Sequence, residues 1–149
     1  MFYNSINFVS GDILDFSAHR DTSCTVIPVN CEGVMGKGLA LQFKNKYPDL
    51  FAEYKNHCDS GDLRIGTVTT SVVNGAWYYY FPTKNIYKES SNIDYIAQGL
   101  AAMALKSYIL GPIAFPKLGC GLGGLQWEHV LPVMLFYLDK MHATSYIYL

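Results

Sequence analysis

The residues best placed to do chemistry are two glycine loops, one lysine, and two small polar side chains at the ends of apolar runs. The first loop, Asn30-Cys31-Glu32-Gly33-Val34-Met35-Gly36-Lys37-Gly38, follows an apolar stretch that starts at Cys24. It leads into Leu39-Ala40-Leu41-Gln42-Phe43, which reads as the opening of a helix. The second, Pro116-Lys117-Leu118-Gly119-Cys120-Gly121-Leu122-Gly123-Gly124-Leu125, follows Ile113-Ala114-Phe115 and precedes a helical pattern from Trp127. Strand, glycine loop, helix is the layout that aims backbone N–H groups and a positive dipole end at an anion, usually a phosphate. The first loop is neither a Walker A loop, since Lys37 is followed by Gly38 and not by Ser or Thr, nor a dinucleotide fingerprint. A plain strand-to-helix turn is the alternative for either loop alone. Two such loops after two strands of one sheet can meet over its carboxyl edge, where ligands of open α/β sheets sit.

Three single residues complete the set. Asp12, in Gly11-Asp12-Ile13, lies just past a first strand, where its carboxylate can accept from the exocyclic amine of a base or cap the next segment. Asn30 ends the second strand as a polar group aimed at a ligand, or as a turn former. Lys84 follows Phe81-Pro82-Thr83 at another strand end. An amine there is a nucleophile or electrostatic catalyst only if its surroundings lower its pKa or set it on developing charge; otherwise it is a surface lysine. Lys37 and Lys117 are further cations beside the loops, facing phosphates or solvent. Cys120 sits between loop glycines, but no motif ties His19, His57, His129 or His142 to it. Small-residue packing is the better reading of Cys120 and of Cys31, and the histidines read as surface or core positions.

The elements that must carry these residues follow from the pattern. Ser5 to Ser10 alternates apolar and polar and reads as a strand. Asp15 to Ser23 reads as a short helix or loop, and Cys24 to Asn30 as a buried strand. A helix after Gly38 should stop before Pro48, with another from about Asp49 to Gly61. Arg64 to Val73 reads as a strand, Asn74-Gly75 as a hairpin turn, and Ala76 to Phe81 as its partner. That aromatic run, Trp77 to Phe81, reads as sheet core and not as a base-stacking surface. Ser90 or Ser91 can cap a helix from Ile93 to Tyr108, whose stripe is Ile96, Leu100, Met103 and Ala104. Trp127 to Met141 reads as the last helix and Thr144 to Leu149 as a closing strand. Strands and helices alternate, broken by one hairpin, so the class is α/β, a mixed sheet with helices on both faces.

The totals exclude several classes. The 149 residues suit a single domain, long enough to bury about two-thirds of its unfolded surface. A net charge of -1 argues against a broad basic face for duplex nucleic acid, while leaving room for one nucleotide or a short single strand. The four cysteines form no CxxC pair and no zinc pattern, and read as free thiols in a reducing compartment. No apolar run spans a membrane, and Met1-Phe2-Tyr3-Asn4 does not open a signal peptide, so a cytoplasmic protein is expected.

With both loops in place the chain resembles a macrodomain, the ADP-ribose-binding module. The likeness covers nearly the whole chain and rests on Gly11 to Ile13, Val29 to Ala40, Phe81 to Lys84 and Pro116 to Trp127. The last two stretches are similar to the branch holding the bacterial antitoxin DarG, which removes ADP-ribose from thymidine in DNA. That branch also holds the human terminal ADP-ribose protein glycohydrolase, which removes it from acidic side chains. The resemblance implies one three-layer α/β/α domain over residues 1–149, with a central mixed, mostly parallel sheet of about six strands. It implies Asp12 on the adenine amine with Gly11 and Ile13 beside it, and Gly33, Val34, Met35, Gly36, Lys37 and Gly38 around the distal ribose. Leu118, Gly119, Cys120, Gly121, Leu122 and Gly123 would wrap the pyrophosphate through backbone N–H groups, with Pro116 also at the ligand. Lys84, next to Thr83, would be the catalytic lysine, and Asn30 would orient the anomeric carbon or a water. The branch's glutamate-directed members use an aspartate in the last loop; the matching position is Gly123, which favours the DNA-directed reading. The implied partner is ADP-ribose or an ADP-ribosylated macromolecule, single-stranded DNA among them. No metal or cofactor is implied, and a monomer is expected. A chain of this length leaves no room for an appended toxin-binding domain.

Overall fold

The computed structural model describes residues 5–18, 24–106 and 111–149. Six strands and five helices alternate along it: β1 (Ile6–Val9), α1 (Ile13–Ala18), β2 (Cys24–Val29), α2 (Gly38–Lys46), α3 (Pro48–Ser60), β3 (Thr69–Val73), β4 (Ala76–Pro82), α4 (Ile93–Lys106), β5 (Ile113–Phe115), α5 (Trp127–Leu138) and β6 (Ser145–Tyr148). The strands form one sheet in the order β1-β6-β5-β2-β4-β3. Every neighbouring pair is parallel except β3 with β4, the hairpin. Five strands therefore end on the same edge.

Side chains alternate across the sheet and sort into two cores. Ile27, Val29, Tyr78 and Tyr80 face one side, against α1, α2 and α3 through Phe16, Phe43, Leu50 and Tyr54. Val26, Tyr79, Phe81 and Phe115 face the other, against α4 and α5 through Ile96, Leu100, Val130 and Met134. The period of two in β2 and β4 is thus the α/β/α layering written in sequence. Gly99 lets α4 lie close on the sheet, since a Cβ there would stand 2.5 Å from the Phe81 ring.

The Asn74-Gly75 turn forms as expected, with φ of 52° and 81°, the left-handed pair that a tight hairpin requires. Several boundaries differ from the pattern. The third strand begins at Thr69 and not Arg64, because Thr67 folds residues 64–67 into a turn. Its hydroxyl donates to the Arg64 carbonyl (2.6 Å) and accepts from the Arg64 N–H (3.0 Å), taking the groups a strand would pair. Pro48 does not merely stop α2; it opens α3 as its first residue, where its missing N–H costs nothing. The cap of α4 is Asn92, whose Oδ1 accepts from Asp94 N–H (2.8 Å), and neither Ser90 nor Ser91. α1 starts earlier than the polar stretch suggested, with Ile13, Leu14 and Phe16 buried, and α5 ends at Leu138 and not Met141. The expected extension of α4 to Tyr108, the end of the Asp15–Ser23 stretch and His19 lie outside the described residues.

Candidate functional site

The strand order sets the order of the site. Read along the common edge, β1 delivers Gly11, Asp12 and Ile13, β6 delivers Tyr148 and Leu149, and β5 delivers the Pro116–Gly123 loop. β2 then delivers the loop from Asn30 to Gly38, and β4 delivers Thr83 and Lys84. Four inter-strand steps separate the first from the last, roughly 19 Å at the usual spacing. Over this edge lies a cleft of about 980 Å³. Its wall holds Gly11, Asp12, Ile13, Asn30, Val34, Met35, Gly36, Lys37, Gly38, Thr83, Lys84, Pro116, Gly119, Gly121, Leu122 and Gly123, so most residues singled out in the sequence are brought together. The shape suits a long ligand: a carboxylate at one end, two glycine loops in the middle, an amine at the other.

Three expected residues stand behind the wall. Leu118 is fully buried in the α4–α5 core. Cys120 turns its thiol back onto the Leu118 carbonyl (3.4 Å). Gly33 faces Lys55 and Cys58 of α3.

The first loop is shaped by Asn30. Its Oδ1 accepts from the N–H groups of Glu32 (3.1 Å) and Val34 (3.3 Å), and its Nδ2 donates to the Val34 carbonyl (2.7 Å). From α3 the buried Tyr54 hydroxyl reaches the Asn30 carbonyl (2.8 Å) and Oδ1 (2.7 Å). Asn30 therefore folds the loop from its place in the cleft wall. The loop ends at α2, whose N-terminus carries no side-chain cap, leaving N–H groups that favour an anion.

The second loop is closed by Leu125 N–H to the Gly119 carbonyl (2.9 Å) and Gly124 N–H to the Gly121 carbonyl (3.3 Å). Among the described residues, the N–H groups of Gly121, Leu122 and Gly123 meet no acceptor, as an anion cradle requires. Gly123 is also pinned from outside, its carbonyl accepting from Ser91 N–H (2.9 Å).

At the two ends, Asp12 and Lys84 are held differently. Asp12 is exposed; its Oδ1 caps α1 by accepting from Leu14 N–H (3.0 Å). Both roles open to it in the sequence are thus compatible, one oxygen on the helix and the other toward the cleft. Lys84 is half-buried. Thr83 N–H donates to Val29 O (3.0 Å) and Asn92 N–H to Thr83 O (3.1 Å), and the Cys31 thiol lies 3.9 Å from the Lys84 carbonyl. Among the described residues no carboxylate lies within ion-pair distance of its amine.

Thiol chemistry is disfavoured. Burial, with Cys58 nearby, pushes the Cys31 thiol up to about 11, and burial also raises Cys120. Among the described residues, no three His, Cys, Asp or Glu side chains are grouped to hold a metal ion, and no helix is long and apolar enough to cross a membrane.

Sequence reasoning missed the segment Tyr87 to Ser91 and the end of β6, which also line the cleft. Neither carries a motif; the first had only its nearness to Lys84 as a signal, and the second only its place at the end of a strand.

The Macro domain family model matches residues 26–134. The chain belongs to the macrodomain family. It is 40% identical over 131 residues to a protein of Mycobacterium tuberculosis named DNA ADP-ribosyl glycohydrolase, a match covering 84% of this chain and 36% of that one. The chain thus spans about a third of the length of that relative. Among solved structures it is similar to the macrodomain of Thermus aquaticus DarG, at 30% identity and a TM-score of 0.85, covering 97% of each chain. It is also similar to Thermosipho africanus DarTG in complex with ADP-ribose, at 32% identity and a TM-score of 0.87, covering 97% of this macrodomain and 41% of that chain.

Proposed function

We propose that this macrodomain binds ADP-ribose along the cleft and hydrolyses it from a modified nucleobase in DNA, thymidine, with Lys84 as the catalytic residue. The order of the edge supports the pose: adenine at Asp12, diphosphate between the glycine loops, distal ribose at Lys84. The observation that carries the catalytic part is the Lys84 amine itself, at the distal end of the cleft and without a carboxylate partner among the described residues. An amine that is not tied into an ion pair is free to give its proton to the leaving nitrogen and then attack the anomeric carbon. In this reading the C1″–base nitrogen bond breaks, the nitrogen takes up a proton, and the Lys84 nitrogen bonds to C1″. Water then cleaves that bond, freeing ADP-ribose and restoring the amine. Asn30 acts mainly by holding the first loop under the distal ribose. The relatives named as DNA ADP-ribosyl glycohydrolases support the same substrate class. One macrodomain over residues 1–149, monomeric, working in the cytoplasm and without a cofactor, belongs to this proposal.

A second reading has its own observation. Gly123 contributes no side chain, so no carboxylate from the second loop assists Lys84, which is what a binding module without turnover would show. Release assays on thymidine-modified single-stranded DNA and glutamate-modified protein, with wild type and Lys84→Ala, separate the two. The proposal expects lysine-dependent release from DNA, with ADP-ribose binding largely kept in the variant. Release from neither, with ADP-ribose still bound, makes the protein a reader or an enzyme of small ADP-ribose derivatives. Release from protein alone moves the substrate to acidic side chains.

A further inference from the structure

The segment after Lys84 is more elaborately built than a loop that only lines a cleft. The Glu89 carboxylate accepts from the N–H groups of Asn85 and Ile86 (3.0 Å for the latter), and Glu89 N–H donates to the Ile86 carbonyl (3.3 Å). From the first glycine loop, the Glu32 carboxylate accepts from Tyr87 N–H (2.6 Å). Cys31 N–H donates to the Asn85 carbonyl (3.0 Å). Five contacts thus fix a short turn whose side chains at 86 and 87 point outward. Ile86 is 45% exposed and Tyr87 47%, although both are large and apolar. Lys88 lies over the Tyr87 ring, 5.6 Å from its centre. Both nearby acids, Glu32 and Glu89, are engaged by backbone N–H groups, while the exposed Lys88 amine stands over the ring.

An outward-facing aromatic ring on a fixed turn, with an ammonium over one face and the other face for a base, is the combination that stacks a base and meets its phosphate. It stands at the Lys84 end of the cleft, where a modified base would emerge. We infer that Tyr87 and Lys88 form a docking platform for the unmodified nucleotide next to the ADP-ribosylated base in single-stranded DNA, Tyr87 stacking on the neighbouring base and Lys88 contacting the backbone phosphate. This rests on the DNA reading of the cleft. An acidic peptide would use the lysine but has no need of the ring, so the ring favours the nucleic acid.

The test compares two substrates with one linkage: ADP-ribosylated thymidine mononucleotide, and a single-stranded oligonucleotide carrying the same modified base. Wild type is expected to show higher kcat/KM on the oligonucleotide. Tyr87→Ala should remove that preference, costing about 5- to 150-fold more on the oligonucleotide than on the mononucleotide, the range of one base–aromatic stack. Tyr87→Phe should restore it. Lys88→Gln should lower the salt dependence on the oligonucleotide alone. Equal losses on both substrates, or no oligonucleotide preference in wild type, overturn the platform while leaving the DNA reading standing. Release by wild type from neither substrate, or from modified protein only, removes the DNA reading and the platform with it.

Discussion

Ser91 and Gly123 are fitted to one another across the second loop: Ser91 N–H donates to the Gly123 carbonyl at 2.9 Å, and the Ser91 hydroxyl fills the space a side chain at 123 would need. A Cβ on residue 123 would overlap that hydroxyl and approach the Gly119 carbonyl to 2.6 Å. Ser91 is 7% exposed, and its Oγ has no protein partner among the described residues. The missing aspartate of the second loop is therefore more than a vacant position; the surroundings have closed over it.

That closure makes Gly123→Asp a poor route to glutamate-directed activity. The substitution is expected to destabilise the fold by about 1–3 kcal/mol through overpacking. It should also weaken ADP-ribose binding, because the loop must move off the Gly119 carbonyl. Thermal melting and calorimetry check both. A variant that melts like wild type and gains release from glutamate-modified protein would contradict the fit.

Asp12 offers a way to separate helix capping from ligand recognition. Asp12→Asn keeps an Oδ1 acceptor for Leu14 N–H but loses the charge offered to the adenine amine. Asp12→Ala loses both. If the carboxylate accepts from adenine, Asp12→Ala should lose roughly 1.5–3 kcal/mol of ADP-ribose binding, the size of a charge-assisted hydrogen bond. Asp12→Asn should fall between the two while melting like wild type. An unchanged dissociation constant for Asp12→Ala would remove Asp12 from the adenine end.

Much of this was legible because it depends on local rules. The two glycine loops announce themselves by following apolar runs and preceding helices, and Asn74-Gly75 by its dipeptide. The layering was readable from the alternation of strands and helices broken by one hairpin; the structure then divides Val26 to Val29 and Tyr78 to Phe81 between the two cores. What escaped was non-local or decided by single side chains. Tyr87 is held by Glu32, 55 residues away, and no periodicity encodes that bond. Thr67 delayed the start of β3 by capturing Arg64, and Asn92 took the cap expected of Ser90 or Ser91. Gly33, Leu118 and Cys120 carry loop-like surroundings in sequence, yet burial turns them away from the cleft.

Tyr54 gives a test of the first loop that touches no ligand. Its hydroxyl binds both the carbonyl and the Oδ1 of Asn30, which in turn folds residues 30–34. Tyr54→Phe keeps the ring but leaves the buried Asn30 carbonyl without its donor, at a cost of about 1–3 kcal/mol. Stability should fall by that amount, and ADP-ribose affinity should fall as well because the loop loses its anchor to α3. Urea denaturation with parallel calorimetry reads both. Full affinity in a clearly destabilised variant would mean that the loop holds its shape without α3.

Alkaline pH should weaken the fold, and the direction follows from its buried thiols and phenols. Burial first, then Cys58 beside it, raises Cys31 from 9.0 to about 11, and burial raises Tyr80 from 10.0 to about 12. Cys24, Tyr54 and Tyr79 are raised as well, mainly by burial. In each case the unfolded chain gives up its proton at a lower pH than the folded chain does, so ionisation favours unfolding. The stability these groups contribute is whole below about pH 9 and is lost as pH rises through the folded values. The urea midpoint is therefore expected to be insensitive to these groups from pH 7 to about 9 and to drop between pH 9 and 11. Cys31→Ser should remove the part of that drop due to its thiol. A midpoint that rises across the same window would show that these groups are not held protonated by the fold.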